Sequence, residues 1–407
     1  MTVPKLRFKE FGGDLKSVIL GDIASKVGSG STPRGGSEAY VDSGIIFIRS
    51  QNVNQNKLLL DDVVYIPEET HEKMSGSKVF ANDILLNITG ASIGRTCLVP
   101  TEFDEANVNQ HVCIIRTPND NPKFIQSFLS SDKGQNLVDS HQSGGGREGL
   151  NFQSIRRFKL CVPSKEEQAK IASFFSAVDE KISQFTQKHR LLCEYKQGMM
   201  QKLFSQQIRF KADDGSEFGE WELQNLSKLS TKIGDGIHAT PIYSEKGEIP
   251  FINGNNLINK KVQINENTKK ITYDEFKKYN QYLTSNSILM SINGTIGNIA
   301  FYNNEICLLG KSVCFISIKE KINKNFIYFL LGSPVLVKGF KSELTGTTIK
   351  NLSLTTIRNM DFLCPCLEEQ IKIANFLSAI DQKIEVVAQQ IEQAKTWKKG
   401  LLQQMFV

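Results

Sequence analysis

The chain contains one 40-residue segment twice, and this repeat constrains the fold more than any other feature of the sequence. Residues 166–205 and 368–407 are related by an offset of 202 residues and are identical at 17 of 40 positions, including 12 of the first 17. Weaker matches, such as Lys26-Val-Gly-Ser-Gly30 with Lys232-Ile-Gly-Asp-Gly236, extend the repeat through nearly all of the 407 residues. Repetition on this scale predicts two copies of one structural unit in a single chain.

The repeated segment has the composition of a long helix. It lacks proline, it consists largely of helix-forming residues, and Ser164 followed by Glu167 predicts a capping box at the start of the first copy. Its apolar residues recur at alternating steps of four and three, which predicts a coiled-coil seam between the two copies. The predicted seam residues are Ile171, Phe175, Val178, Ile182, Phe185 and Leu192 in the first copy and Ile373, Leu377, Ile380, Ile384, Val387 and Ile391 in the second.

Lysine occupies the same seam position in both copies, at Lys196 and Lys398, next to Tyr195 and Trp397. The simplest interpretation is that these lysines extend past the aromatic rings to solvent near fraying helix ends.

The remainder of each repeat is predicted to be mixed α/β. Residues 44–49, 84–88, 112–116 and 159–162 have the pattern of strands, whereas 123–129 and 324–331 have that of short helices. The predicted fold class is α+β, with two mixed α/β domains and two long helices. The predicted boundaries are 1–163 for the first domain, 164–208 for the first long helix, 209–366 for the second domain and 367–407 for the second long helix.

Composition narrows the function classes. The formal charge of +6 is compatible with a nucleic-acid partner but does not imply one. No apolar run approaches the ~18 residues of a membrane helix, and the charged N-terminus does not resemble a signal peptide, so we expect a cytoplasmic protein without a membrane partner. None of the eight cysteines forms a CxxC pair and the five histidines are scattered, which excludes a zinc ribbon or finger. We expect reduced, mostly buried thiols and no metal site.

Two local patterns resemble catalytic motifs. Gly90-Ala-Ser-Ile-Gly94 fits the nucleophile elbow of esterases, but the next residues read as a strand where the elbow requires a helix, so we predict a hairpin turn. Asp179-Glu-Lys181 resembles nuclease carboxylates, yet it lies on the long helix, and we interpret it as solvated or subunit-contacting charge. The sequence also lacks a phosphate-binding P-loop motif and a Pro-Pro-containing methyltransferase tetrapeptide.

The repeated blocks, Glu166-Glu-Gln-Ala-Lys-Ile-Ala172 and Glu368-Glu-Gln-Ile-Lys-Ile-Ala374, each follow a proline that closes a strand. Together with the openings Gly28-Ser-Gly-Ser-Thr-Pro33 and Gly234-Asp-Gly236, they make the chain similar to the specificity subunits of type I restriction–modification enzymes, the HsdS family. The order of domain, helix, domain and helix matches that family over the full chain.

The resemblance implies a non-catalytic DNA-specificity subunit. Each domain would be a target-recognition domain that reads one half of an interrupted target in double-stranded DNA. The helices would form an antiparallel coiled coil with a pseudo-two-fold axis, set the spacing and dock two methyltransferase subunits, with two motor-endonuclease subunits completing the enzyme. It further implies no cofactor in this chain, with S-adenosylmethionine, ATP and Mg²⁺ in the partner subunits.

Candidate DNA-binding residues are polar, lie on predicted turns, and can reach bases or phosphates. In the first domain they are Ser31, Thr32, Arg34, Arg49, Gln51, Asn52, Thr89, Ser92, Arg95, Asn109, Gln110 and Arg147. In the second they are His238, Thr240, Asn253, Asn255, Asn256, Asn293, Thr295, Lys311, Ser312, Thr347 and Lys350.

Other functions remain open at this point. The chain could belong to a related multi-subunit methyltransferase or nuclease system, act as an interaction scaffold through its helices, or be a self-sufficient nuclease with an unrecognised motif.

Overall fold

The computed structural model describes residues 3–33, 35–54, 56–142, 149–279, 281–344 and 350–407. The chain divides into two compact units that do not follow the repeat boundaries. Unit 1 comprises residues 1–186 and 388–407, and unit 2 comprises residues 187–387. Each unit therefore contains one α/β region and a part of both long helices. The division into four domains predicted from the sequence stays a prediction.

Unit 1 contains twelve short strands and five short helices among the residues that the structure describes. The strands are β1 (Lys16–Ile19), β2 (Lys26–Ser29), β3 (Ile45–Ile48), β4 (Val53–Asn54), β5 (Lys57–Leu58), β6 (Val64–Ile66), β7 (Lys78–Val79), β8 (Ile84–Asn87), β9 (Thr96–Leu98), β10 (Ala106–Val108), β11 (Val112–Arg116) and β12 (Lys159–Val162). The helices are α1 (Leu20–Ile23), α2 (Glu68–Lys73), α3 (Pro122–Ser130), α4 (Asp132–Ser140) and α5 (Phe152–Arg156), and the long helix α6 spans Lys165–Phe204.

Unit 2 has a similar order with eleven strands among its described residues, without a counterpart of β7. Its strands are β13 (Glu222–Asn225), β14 (Ser230–Asp235), β15 (Ile249–Ile252), β16 (Leu257–Ile258), β17 (Lys261–Val262), β18 (Lys270–Ile271), β19 (Ser287–Ser291), β20 (Ile299–Phe301), β21 (Leu308–Leu309), β22 (Val313–Ile318) and β23 (Asp361–Cys364). Its helices are α7 (Leu226–Leu229), α8 (Tyr273–Phe276), α9 (Lys324–Leu331), α10 (Pro334–Ser342) and α11 (Leu354–Asn359), and the second long helix, α12, spans Leu367–Met405.

The central sheets of the two units share one topology, and the second sheet of unit 2 has a strand fewer than that of unit 1 among the described residues. The central four-stranded sheet has the order β2-β11-β8-β9 in unit 1 and β14-β22-β19-β20 in unit 2. A second sheet has the order β6-β3-β10-β7 in unit 1 and β18-β15-β21 in unit 2. This second sheet contains one parallel pair in each unit, β3 with β10 and β15 with β21. The strands and short helices predicted from the sequence are confirmed, because each falls within one to two residues of an observed element.

The central sheets form hairpins where the sequence suggested an esterase elbow. Strands β8 and β9 pair antiparallel, with Ile84 opposite Leu98, and the intervening glycines Gly90 and Gly94 have positive φ angles of 71° and 83°. Because only glycine adopts such angles without strain, the two glycines are explained by the turn itself. The prediction of a hairpin turn is confirmed.

The two long helices run antiparallel within each unit. In unit 1 the Phe175 ring stacks on the Phe406 ring at 6.1 Å, and Phe174 meets Trp397 at 6.0 Å. In unit 2 the core joins Met200 and Leu203 of α6 with Ile373 and Leu377 of α12. The antiparallel pairing implied by the family resemblance is confirmed. All twelve predicted seam residues are buried or partly buried, as a 3.5-residue repeat requires.

Most thiols lie in the core. Cys97, Cys113, Cys307, Cys314 and Cys364 are buried, and all eight cysteines are free. Burial raises the pKa of each of these five thiols to about 12, so they stay protonated and unreactive at neutral pH. The prediction of reduced and mostly buried thiols is confirmed.

Within the described parts of the chain, no helix is both long and apolar enough to cross a membrane.

Candidate nucleic-acid interface

In unit 1 the loops that carry the predicted DNA-binding residues lie side by side. The amide of Gly30 donates to the carbonyl of Asn109 at 3.2 Å, and the amide of Ile88 donates to the carbonyl of His111 at 3.0 Å. The side-chain amide of Asn87 donates to the Ser50 carbonyl at 2.8 Å. Loops that follow four different strands are thereby joined into one polar face.

The corresponding loops of unit 2 meet in the same way. The Gly236 amide donates to the Val313 carbonyl at 3.0 Å, and the Gly254 amide donates to the Ser312 hydroxyl at 3.1 Å. The Asn298 side chain donates to the Gly254 carbonyl at 3.1 Å, and the Gly294 amide donates to the Lys350 carbonyl at 3.2 Å. We call these two surfaces, one in each unit, the loop faces.

Close backbone packing explains why the loop faces begin at glycine. A Cβ on Gly30 would lie 1.7 Å from the Val108 carbonyl oxygen, and a Cβ on Gly236 would lie 2.2 Å from that of Leu309. Neither distance is sterically accessible, so both loops require glycine at the point where they leave strands β2 and β14.

Many predicted residues project from these faces. The exposed ones are Ser31, Thr32, Gln51, Arg95 and Gln110 in unit 1 and His238, Thr240, Asn255, Thr295, Lys311 and Lys350 in unit 2. The partly buried ones are Arg49, Thr89, Ser92, Asn253, Asn293 and Ser312. Their hydroxyl and amide groups can donate and accept hydrogen bonds, and their arginine and lysine side chains supply the positive charges that bind phosphate.

Several of these side chains are tied to the face itself. Thr32 donates to the Gln110 carbonyl oxygen, and Gln51 donates to the Asp62 carboxylate. In unit 2 the Ser312 hydroxyl donates to Asn253 at 3.0 Å. These bonds fix the rotamers of polar groups that would otherwise lose entropy on binding.

Three predicted residues are not available to a ligand. Asn52, Asn109 and Asn256 are buried, with exposed fractions of 2%, 8% and 7%, so they lack the exposed position for which they were chosen as DNA-binding candidates. The Asn52 amide donates to the Leu59 carbonyl at 3.0 Å and to the Asp62 carbonyl at 2.8 Å. The Asn256 amide likewise donates to the Gln263 carbonyl at 3.0 Å. Asn52 and Asn256 each stabilise the turn that carries the exposed neighbouring residue, Gln51 or Asn255.

The predicted residues Arg34, Arg147 and Thr347 lie outside the described residues.

Sequence reasoning missed two residues that organise the unit 1 face. Asp62 accepts from Gln51 and lies 3.6 Å from the Arg49 guanidinium, so it positions two candidate residues. Asn87 has no exposed surface and connects two loops through the Ser50 carbonyl. The sequence shows Asn87 only within an Asn-Ile-Thr glycosylation pattern, which gives no signal for this structural role.

The repeated blocks attach each α/β region to a long helix. Arg7 donates to both carboxylate oxygens of Glu167, at 2.7 and 2.6 Å, and Arg209 does the same with Glu369, at 3.2 and 2.8 Å. Bidentate arginine–carboxylate pairs of this kind are strong and directional. Each pair joins residues that are exactly equivalent in the repeat.

The glutamines next to these carboxylates form a second equivalent joint. Gln168 accepts from the Asn121 amide at 2.9 Å, and Gln370 accepts from the Asn323 amide at 3.0 Å. Only half of the predicted capping box forms. Ser164 accepts from the Glu167 amide at 3.3 Å, but the Glu167 carboxylate is engaged by Arg7 instead of turning back.

The seam lysines do not extend to solvent, so that interpretation is wrong. In unit 1 Lys398 lies 2.5 Å from the Asp179 carboxylate, and Lys123 of α3 lies 2.7 Å from the same group. In unit 2 Lys196 lies 2.7 Å from Asp381, which also pairs with Lys260. Asp179 and Asp381 are therefore partners of lysine within the fold, whereas Glu180 and Lys181 of the same motif are exposed. The interpretation of this motif as solvated or subunit-contacting charge does not hold for Asp179 and stays a prediction for Glu180 and Lys181.

Burial and ion pairing act in opposite directions on the pKa values of Asp179 and Lys398. Burial would raise the pKa of Asp179, but the ammonium groups of Lys398 and Lys123 outweigh it and hold that pKa below its usual range. Burial lowers the pKa of Lys398, although Asp179 opposes this shift.

One group of side chains in the described part of the chain has the spacing of metal ligands: Glu68, His71 and Glu72 on α2. Both ring nitrogens of His71 are already hydrogen-bonded, to Asn107 at 2.6 Å and to Glu105 at 2.9 Å. Both nitrogens of His71 are therefore engaged within the fold, while Glu68 and Glu72 are exposed, and the expectation of no metal site stays a prediction.

Comparison with known families agrees with this architecture. Residues 13–192 and 219–396 match the family model described as the type I restriction modification DNA specificity domain. The chain belongs to this family. The two matches, which together cover most of the sequence, correspond to the two repeats.

Individual relatives are also similar over most of their length. The chain is 24% identical to the specificity subunit assigned to the MjaX type I restriction enzyme of Methanocaldococcus jannaschii, over 98% of this chain and 94% of the relative. It is 26% identical to the MjaVIII specificity subunit of the same organism, over 79% and 77%. The crystal structure of a type I restriction–modification S subunit from M. genitalium shares the fold, with a TM-score of 0.58, 14% identity, and coverage of 100% and 99%. The chain is thus a type I specificity subunit.

Proposed function

We propose that each loop face reads one half of an interrupted target in double-stranded DNA. The observation that carries this proposal is that both units collect exposed polar side chains from equivalent loops onto one face, with different residues in each. Arginine pairs well with guanine, and asparagine and glutamine pair well with adenine. Two loop faces with equivalent backbones and different side chains suit a DNA target whose two halves differ in sequence.

The proposal assigns the long helices to spacing and to subunit docking. Two methyltransferase subunits would bind them and two motor-endonuclease subunits would complete the enzyme, with S-adenosylmethionine, ATP and Mg²⁺ held by those partners. The chain itself would bind no cofactor and catalyse no reaction, and it would work on DNA in the cytoplasm. Support comes from the family membership and from the antiparallel pairing of α6 and α12 in each unit.

The test is to map methylated adenines in DNA from cells that express the chain with its cognate methyltransferase subunit. We expect a two-part motif separated by a fixed number of unspecified base pairs. Replacing residues 20–160 with those of another family member should change one half of the motif and leave the other intact.

Two results would contradict the proposal. A continuous motif, or a swap that changes both halves, would show that the units do not read separate half-sites. Methylation or cleavage of DNA by the purified chain alone would show that it is an enzyme in its own right.

A further inference from the structure

The outer edges of the two units are structurally equivalent but carry opposite charge. Strand β6 pairs with β3 so that Ile66 lies opposite Ile45, and β18 pairs with β15 so that Ile271 lies opposite Ile249. Counting back from these isoleucines, Lys269 and Lys270 occupy the positions of Val64 and Tyr65.

The charge difference extends along the whole edge segment. These segments begin at matching points, because the Leu59 amide donates to the Asn52 carbonyl and the Gln263 amide donates to the Asn256 carbonyl. Residues 59–73 contain five carboxylates and one lysine, whereas residues 263–278 contain three carboxylates and four lysines. The two segments thus have equivalent backbones but net charges of opposite sign, so an anion would be repelled by the first and attracted by the second.

The basic edge of unit 2 adjoins its loop face. The Phe251 amide donates to the Lys269 carbonyl at 2.8 Å, and Phe251 lies two residues before the turn that carries Asn253 and Asn255. The Lys269 ammonium lies 4.4 Å from the centre of the Tyr243 ring. Tyr243 follows the candidate residue Thr240 by three positions in the chain. We call Tyr243, Lys269 and Lys270 the Tyr243 patch.

The lysines of this patch are available to a ligand. Lys269 and Lys270 are exposed, and within the described residues neither has a carboxylate within 4.0 Å. By contrast, Lys278 of the same segment lies 2.6 Å from Glu275. A cation–π contact orients the Lys269 ammonium without neutralising its charge.

We propose that the Tyr243 patch binds the phosphate backbone of the DNA beside the half-site of unit 2, and that the equivalent edge of unit 1 does not. This inference rests on the proposed function. Phosphate contacts by lysine supply affinity and register but no base selectivity, which suits residues on a sheet edge beside a reading surface. On unit 1 the exposed carboxylates of Asp61 and Glu68 would repel a phosphate backbone.

The test compares DNA binding by the complex of this chain and its methyltransferase subunits, with wild-type protein and the double variant Lys269→Val/Lys270→Tyr. Valine and tyrosine are the residues of unit 1 at the equivalent positions, Val64 and Tyr65, and both have a high β-propensity, so the pairing of β18 with β15 should be retained. Affinity for a duplex with the mapped target is measured across a range of salt concentrations. The control is Glu68→Ala/Glu69→Ala on unit 1.

For the double variant we expect affinity to fall on the order of tenfold and the slope of log affinity against log salt to become shallower by about 1 to 2. The methylated motif should stay unchanged, and the control should lose no affinity because it removes no phosphate contact. A wild-type slope in the lysine variant, or a changed motif, would overturn the inference while leaving the proposed function standing. Absence of target-specific binding by the wild-type complex would overturn both.

Discussion

At the scale of single residues, burial separates side chains that the sequence presents as alike. Asn255 and Asn256 are adjacent asparagines on one predicted loop, yet the first is exposed and the second is buried. Asn256 bonds the Gln263 carbonyl and the Thr268 hydroxyl and accepts from the Asn253 amide at 2.9 Å. One asparagine is available to DNA, and its neighbour holds the loop in shape.

This difference predicts opposite outcomes for two neighbouring substitutions. Asn256→Ala should destabilise the protein by about 2 kcal/mol, because it leaves buried backbone groups without partners. Asn255→Ala should leave thermal unfolding unchanged and weaken binding to the target DNA. Thermal denaturation and binding assays on the two variants check this, and equal unfolding temperatures would contradict the assignment.

The partly buried carboxylate of Asp179 makes stability depend on pH. Because its pKa in the folded state is held below the usual value of about 3.9, folding favours the ionised form. Its contribution to stability is therefore complete above about pH 5 and is lost as the pH falls through the folded-state pKa.

Asp179→Asn should lower the free energy of unfolding by about 1 to 2 kcal/mol at neutral pH, since Lys398 and Lys123 then face each other without a carboxylate. The variant should also lose less stability than wild type on acidification. Denaturant titrations across this pH range measure both effects. Glu180→Gln, at an exposed neighbour whose carboxylate accepts from Gln184 on the same helix, should behave as wild type.

At the scale of elements, the repeated blocks that carry the family resemblance attach each α/β region to the start of a long helix. At the start of α6, Glu167 accepts from Arg7, which precedes β1, and Gln168 accepts from the backbone amide of Asn121, the N-cap of α3. At the start of α12, Glu369 and Gln370 accept in the same way from Arg209 and from Asn323, the N-cap of α9. Identical joints explain why these blocks are similar between the repeats while the loop faces differ.

The start of each loop face offers a matched pair of glycine substitutions. Gly30→Ala should severely destabilise unit 1, because its Cβ would overlap the Val108 carbonyl. Gly28→Ala, two residues earlier on β2, meets nothing within 4 Å and should be tolerated. Limited proteolysis and thermal unfolding distinguish the variants, and equal tolerance of both would contradict the close approach described here.

At the scale of the whole molecule, each compact unit draws its helical part from both long helices. The same residues of the repeat are used in both units: Asp179 with Lys398 in one, and Asp381 with Lys196 in the other. Lys123 and Lys260 connect these pairs to the α/β region of the same unit.

If the helices set the spacing of the DNA target, lengthening both should lengthen the interruption. Seven residues inserted after Gln187 and seven after Gln389 preserve the seam and add about 10.5 Å to each helix. We expect the spacer to grow by about three base pairs, at ~3.4 Å per step. Mapping methylated adenines measures this, with the same insertion at the exposed turn Asp214–Gly215 as the control. An unchanged spacer in the helix variant would refute the role of the helices.

The sequence by itself determined the duplication, the family, the long helices with their seam, and most strands, because these depend on local periodicity and on similarity between the copies. Only the tertiary structure decided that Asn52, Asn109 and Asn256 are interior, that Lys196 and Lys398 pair with aspartates across the helices, and that the edges of the two units differ in charge. The physical reason is that burial and ion pairing depend on residues distant in the chain. Asp179 and Lys398 are more than 200 residues apart, and no local pattern brings them together.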